Sequence, residues 1–130
     1  QVVILPGNHD PLTPDSVYRR SGMKDLDHVH ILGLTHDHAV HFADHDLEFW
    51  GHAHQDYSNM APLRTPRPRS SRWQVALAHG HYEPPGAVPL RPSWLFSDDD
   101  IEICIAIEIR STNISDPPDP FQQYAAICGP

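Results

Sequence analysis

The chain has 130 residues, 39% hydrophobic and 20% charged, which suits one soluble globular domain with a real core and leaves no length for a second. Seventeen acidic against nine basic residues give a net charge of −8, which argues against broad electrostatic capture of nucleic acid or an anionic membrane. Eleven histidines are counted as neutral in that balance, so it shifts strongly below about pH 6.5.

Cys104 and Cys128 stand far apart and form no metal-spacing motif, so a reducing compartment is expected. No run approaches the ~18 apolar residues of a membrane span, and the start lacks the layout of a secretion signal. A cytoplasmic location and no membrane partner are expected on those grounds. Asn113-Ile114-Ser115 matches a glycosylation acceptor, a triplet common by chance.

Opening on Gln1 and running straight into the apolar Val2-Val3-Ile4-Leu5, the sequence reads as a fragment of a longer protein. That first run is a strand, and Gly7-Asn8-His9-Asp10 follows it directly. A strand ending in a glycine turn with an amide, an imidazole and a carboxylate is the layout of a site rather than of a core. Asp15-Ser16 is then expected to cap a short helix through Tyr18-Arg19-Arg20 that ends at Gly22. Three β-type runs come next, His28 to Leu32, Ala39 to Phe42 and Leu47 to Trp50, and their close spacing predicts an antiparallel meander.

Residues 58 to 72, with three prolines and four arginines, are expected to be an exposed loop whose arginines are solvated or contact phosphate. Trp73-Gln74-Val75-Ala76-Leu77-Ala78 is a clear strand delivering His79-Gly80-His81, and a Pro-rich lid or connection runs from 84 to 92. Ile101, Ile103, Ile105, Ile107 and Ile109 alternate with other residues, a strand of period two, and residues 115 to 130 read as a loose Pro-rich tail.

Four His-x-His pairs occur, His28/His30, His36/His38, His52/His54 and His79/His81, each a bidentate ligand or half of an exposed sheet face. His79/His81 stands out because it ends an apolar strand, as the Asn8-His9-Asp10 turn does. His79 is the first choice as ligand, and His81 the alternative if the strand end is shifted by two.

The strand followed by Gly7-Asn8-His9-Asp10 resembles the third signature block of the calcineurin-like metallophosphoesterases, and Val75-Ala76-Leu77-Ala78-His79 is similar to the fourth. The resemblance spans roughly residues 1 to 95. It implies an α/β fold, a partial metallophosphoesterase-type α/β sandwich, strand-rich with few short helices and long loops. Residues 1–100 would form the partial domain, 101–114 an additional strand and 115–130 the tail. Asn8 and His79, with His81 in reserve, would be metal ligands. His9 would be the general acid, and Asp10 would hold its tautomer by a hydrogen bond. Two divalent ions, Mn, Fe or Zn, would occupy a complete site, and the substrate would be a phosphomonoester or phosphodiester, on a small molecule or a nucleic acid. Oligomeric state stays open.

The family's Asp-x-His and Gly-Asp blocks are not found in the chain, and Gly51-His52-Ala53-His54 has the letters of its last block ahead of the His79 strand instead of after it. Either the site is permuted or that match is a strand-end coincidence, and coincidence is the expectation. A non-catalytic remnant and a His-rich metal-binding protein are the alternatives to the enzyme.

Overall fold

The structure is a computed structural model that describes residues 1–86, 94–101 and 127–128. It shows a small, strand-rich α/β protein. β1 (Val2–Ile4) pairs in parallel with β2 (Val29–Ile31), Val2 opposite Val29 and Ile4 opposite Ile31. Parallel neighbours need a crossover, and here it contains α1 (Val17–Arg20) and a 3₁₀ turn at Met23–Asp25. Gly22, in the left-handed region at φ 73°, follows the end of α1 as expected, but Ser16, at the N-cap position, makes no side-chain cap bond, so the expected cap does not form. Tyr18 is the buried residue of α1 and packs with Leu12, Val29, Ile31 and Ala53, while Ile4 and Leu5 close the edge of that cluster.

The expected meander is only half formed. β3 (Ala39–Phe42) and β4 (Leu47–Gly51) make an antiparallel hairpin, Val40 opposite Phe49, but β2 stays with β1. The turn at 33–37 accounts for this. Gly33, at φ 81°, donates its N–H to the carbonyls of His36 (2.8 Å) and Asp37 (2.6 Å), and the Ile31 N–H is spent on Thr35 Oγ1 at 2.8 Å rather than on a third strand. Leu32 N–H meanwhile extends the β1 ladder to the Ile4 carbonyl at 3.0 Å.

β5 (Trp73–Ala78), as expected from its sequence, lies parallel to β4 from Leu47 opposite Trp73 to Gly51 opposite Leu77. β6 (His81–Tyr82) pairs in parallel with β7 (Leu95–Phe96), and β8 (Ile127–Cys128) pairs in parallel with Leu77 and Ala78 of β5. The larger sheet thus runs β3-β4-β5-β8, and a second core forms on it from Trp50, Leu63 and Phe96 with Ala76, Ala78 and Ile101.

Two further expectations are corrected. Residues 127–128 of the tail are a paired strand, since even two residues can complete a ladder whose edge β5 supplies. Ile101 belongs to a helical turn over 98–101 rather than to a strand: Ser97 donates through its N–H (2.8 Å) and its hydroxyl (3.0 Å) to the Asp100 carboxylate, which folds the chain back into a turn. The rest of the alternating isoleucine run, residues 102–110, lies outside the described residues, as do 87–92 of the Pro-rich lid, Cys104 and the glycosylation triplet.

The 58–72 loop is less free than its composition suggests. Glu48, 1% exposed on β4, accepts from Arg67 Nε at 3.0 Å, Ser70 Oγ at 2.7 Å and Gln74 Nε2 at 2.7 Å, so a buried carboxylate ties the loop to the sheet. No helix among the described residues is long and apolar enough to cross a membrane.

Gly51, at the end of β4, is pressed between β5 and the residue that follows β1. A Cβ on it would sit 2.4 Å from the Leu77 carbonyl oxygen and 3.1 Å from Leu5 Cδ1. The carbonyl is held by the β4/β5 ladder and cannot retreat, so Gly51→Ala is expected to lose about 1–3 kcal/mol of stability, read as a lowered urea midpoint.

Candidate functional site

The loops leaving β1, β4 and β5 at their carboxyl ends meet, which is where ligands gather in α/β sheets. After β1 the chain passes through buried Pro6 and Gly7, half-buried Asn8, and exposed His9 and Asp10. The Asp10 carboxylate shapes this loop: Oδ1 accepts the Gly7 N–H at 3.1 Å and Oδ2 accepts the Tyr18 hydroxyl. Burial, then the bond to Asp10, pushes the Tyr18 phenol well above its usual range, so it remains a donor.

This differs from the expected role of Asp10. Among the described residues no hydrogen bond joins Asp10 to His9. The amide three residues back and the buried phenol from α1 take one oxygen each, so Asp10 holds the loop and leaves His9 free at its tip.

β5 delivers His79 directly against this loop. His79 Nε2 donates to Asn8 Oδ1 at 2.7 Å across 71 residues of sequence. Two donors can share one ion only if they lie within about 4 Å, twice a ligand bond of ~2 Å, and this pair does. Its chemistry, an amide oxygen and an imidazole nitrogen, fits Mn, Fe or Zn. Asn8 and His79 are thus close enough that they could share a metal ion. Gly7 makes the approach possible: a Cβ there would lie 2.8 Å from His79 Cε1 and 2.9 Å from Nε2. Among the described residues there is no group of three or more His, Cys, Asp or Glu placed to hold an ion, so this amide–imidazole pair is the donor set on which the site rests.

Burial, followed by the neighbouring His54, lowers the His79 pKa from its usual 6.5; Asp10 opposes this, and His9 and His81 add to it. The neutral imidazole is favoured. Below about pH 6.5 the unfolded chain takes up a proton that the folded site resists, so His79 contributes stability that is complete above that pH and is lost as pH falls through the folded value. His30, lowered first by burial, adds with the same sign. Urea midpoints at pH 7.5 and 5.5 are expected to differ less in His79→Gln than in the unmodified chain.

Gly51-His52-Ala53-His54, expected to be a coincidence, divides in two. His54 enters the site. Its side chain is buried, its Nε2 donates to the His79 carbonyl at 3.1 Å, and its ring meets that of His79 edge to face, centroids 5.6 Å apart. His52 turns away to Trp50 and to His38, 4.8 Å between ring centroids, and reaches the Thr65 carbonyl at 3.3 Å. The signal for His54 was legible in the Gly-His-x-His letters at a strand end. Tyr18, a single aromatic on a one-turn helix, gave none.

His81, the reserve ligand, begins β6 and is exposed; its N–H bonds to the Trp94 carbonyl at 2.7 Å, and its charge acts on His79. Of the remaining His-x-His members, His30 packs on His36 with centroids 5.0 Å apart and His38 on His52. Compared with protein-family models, curated proteins and solved structures, the chain matches none.

Proposed function

We propose that this chain is part of a metal-dependent phosphoester hydrolase of the calcineurin-like kind, and that its strands belong to that family's α/β sandwich. The contact of Asn8 Oδ1 with His79 Nε2 at 2.7 Å carries the reading, because two motifs matched separately in the sequence meet at their ligating atoms. A divalent cation held there supplies Lewis-acid charge for the phosphoryl oxygens and lowers the pKa of water. Asn8 and His79 bind that cation, Asp10 and Tyr18 hold the loop in shape, and exposed His9 presents an imidazole that delivers a proton to the leaving alkoxide. Phosphomonoesters and phosphodiesters both suit this chemistry. The net charge of −8 favours a small substrate over a long polyanion.

Metal binding without hydrolysis is the second reading, favoured by the additional imidazole pairs His30/His36 and His38/His52. Equilibrium dialysis against Mn²⁺ together with hydrolysis of bis(p-nitrophenyl) phosphate separates the two. The hydrolase reading expects Asn8→Ala and His79→Ala each to abolish a Mn²⁺ site and the hydrolysis with it. Several ions of similar affinity, indifferent to both substitutions and accompanied by no hydrolysis, would establish the storage reading, and no bound ion at all a remnant.

A further inference from the structure

We infer that His54 is the positioning residue that sets the distance between the two halves of the site. It rests on the reading of Asn8 and His79 as a ligand pair, but its geometry stands apart from any metal. Three hydrogen bonds leave this one residue, and each ends at a different boundary of the site. The His54 N–H donates to the Pro6 carbonyl at 3.1 Å, directly before Gly7. Its carbonyl accepts from the Leu12 N–H at 2.8 Å, just past Asp10 and Pro11. Its Nε2 donates to the carbonyl of His79 itself at 3.1 Å.

The two backbone bonds clasp both ends of the loop that bears Asn8, and the side-chain bond grips the residue that answers Asn8. The first two would survive any substitution that keeps the backbone in place. The third depends on the imidazole alone and is the only one that couples the loop after β4 to the main chain of the second ligand.

The environment makes that bond strong and directional. His54 is 1% exposed, so its imidazole is shielded from water, and the rings of His79 and Trp94 wall it at 5.6 and 6.0 Å. A carbonyl can only accept, so the shared proton sits on Nε2. Nδ1 has no partner among the described residues. Everything the side chain does for the site therefore passes through one N–H. Glutamine, which carries an N–H at a similar reach, should replace it, and leucine, similar in bulk but without a donor, should not.

The test measures Mn²⁺ affinity in the unmodified chain, His54→Gln and His54→Leu, with circular dichroism to confirm folding and a metal-free NMR measurement of the contact between the Asn8 side-chain amide and the His79 ring. Affinity is expected to be nearly unchanged in His54→Gln and about 10–100-fold weaker in His54→Leu, the usual cost of losing a group that orients a ligand. The Asn8–His79 contact is expected to persist in the first and vanish in the second. Native affinity with the contact intact in a folded His54→Leu would overturn the inference. If His54→Leu does not fold, His54→Asn, whose amide is too short to reach the carbonyl, takes its place; equal weakening in His54→Asn and His54→Gln would overturn the inference, and weakening in His54→Asn alone would support it. Should the unmodified chain bind no Mn²⁺, the ligand reading falls, and the NMR contact alone decides on His54.

Discussion

Alanine at position 7 should uncouple the site while leaving the fold intact. Mn²⁺ affinity is expected to drop about 10–100-fold in Gly7→Ala, by the same displacement of an oriented ligand that removal of a supporting hydrogen bond causes. The added Cβ would lie 2.8 Å from His79 Cε1 and 2.9 Å from Nε2, inside van der Waals contact, and the imidazole is the partner able to move. Moving it breaks the 2.7 Å bond to Asn8. Gly7 is not among the glycines with positive φ, so alanine fits its backbone and the effect isolates the close approach. Gly22→Ala is the matching control. There the backbone sits at φ 73° with nothing within 4 Å of a Cβ, so strain without contact should lower stability and leave Mn²⁺ affinity unchanged. A Gly7→Ala chain that binds Mn²⁺ as tightly as the unmodified one would show that His79 does not serve as a ligand beside Asn8.

How far the sequence reaches is set by how local each cause is. β5 and the turn after β1 were readable because an apolar run, a glycine and the polar residues behind it lie within ten positions of one another. The end of α1 was readable from Gly22 for the same reason, whereas the Ser16 hydroxyl expected to cap its start makes no such bond. The partner of β2 was not: spacing favours a hairpin with β3, and the deciding contacts, Ile31 N–H to Thr35 Oγ1 and Leu32 N–H to the Ile4 carbonyl, are a side-chain bond and a long-range ladder with no signature in the pattern. Ile101 was read as the start of a strand from its alternation, yet Ser97 bonds to the Asp100 carboxylate in a helical turn there.

That Asn8 and His79 lie at neighbouring strand ends was legible from motif and strand end, whereas Asp10 was given another partner because Tyr18 reaches it from a separate element. His54 was set aside on the order of motifs along the chain, but order constrains ancestry, and what brings an imidazole to a site is the end of a strand. β4 and β5 run parallel, so the residues after both emerge on the same edge. That topological fact would have promoted the Gly51-His52-Ala53-His54 segment had the pairing of β4 been known.

His9→Asn is expected to lower the turnover of a phosphodiester by about 10²–10⁴, the range for loss of a positioned general acid, with Mn²⁺ content unchanged. His9 is exposed one residue beyond Asn8, on the loop that meets His79. Asp10 leaves it untethered, so its orientation would be set by the substrate rather than by the loop. Asparagine keeps the polarity and roughly the size but has no proton to give near neutral pH. Assayed with a p-nitrophenyl ester, whose leaving group departs with little need of a proton, the loss should shrink relative to an alkyl ester of the same phosphate. If the substitution instead strips Mn²⁺ from the protein, His9 binds the metal and its assignment as the acid fails; if turnover of both esters falls equally with metal retained, the proton comes from elsewhere.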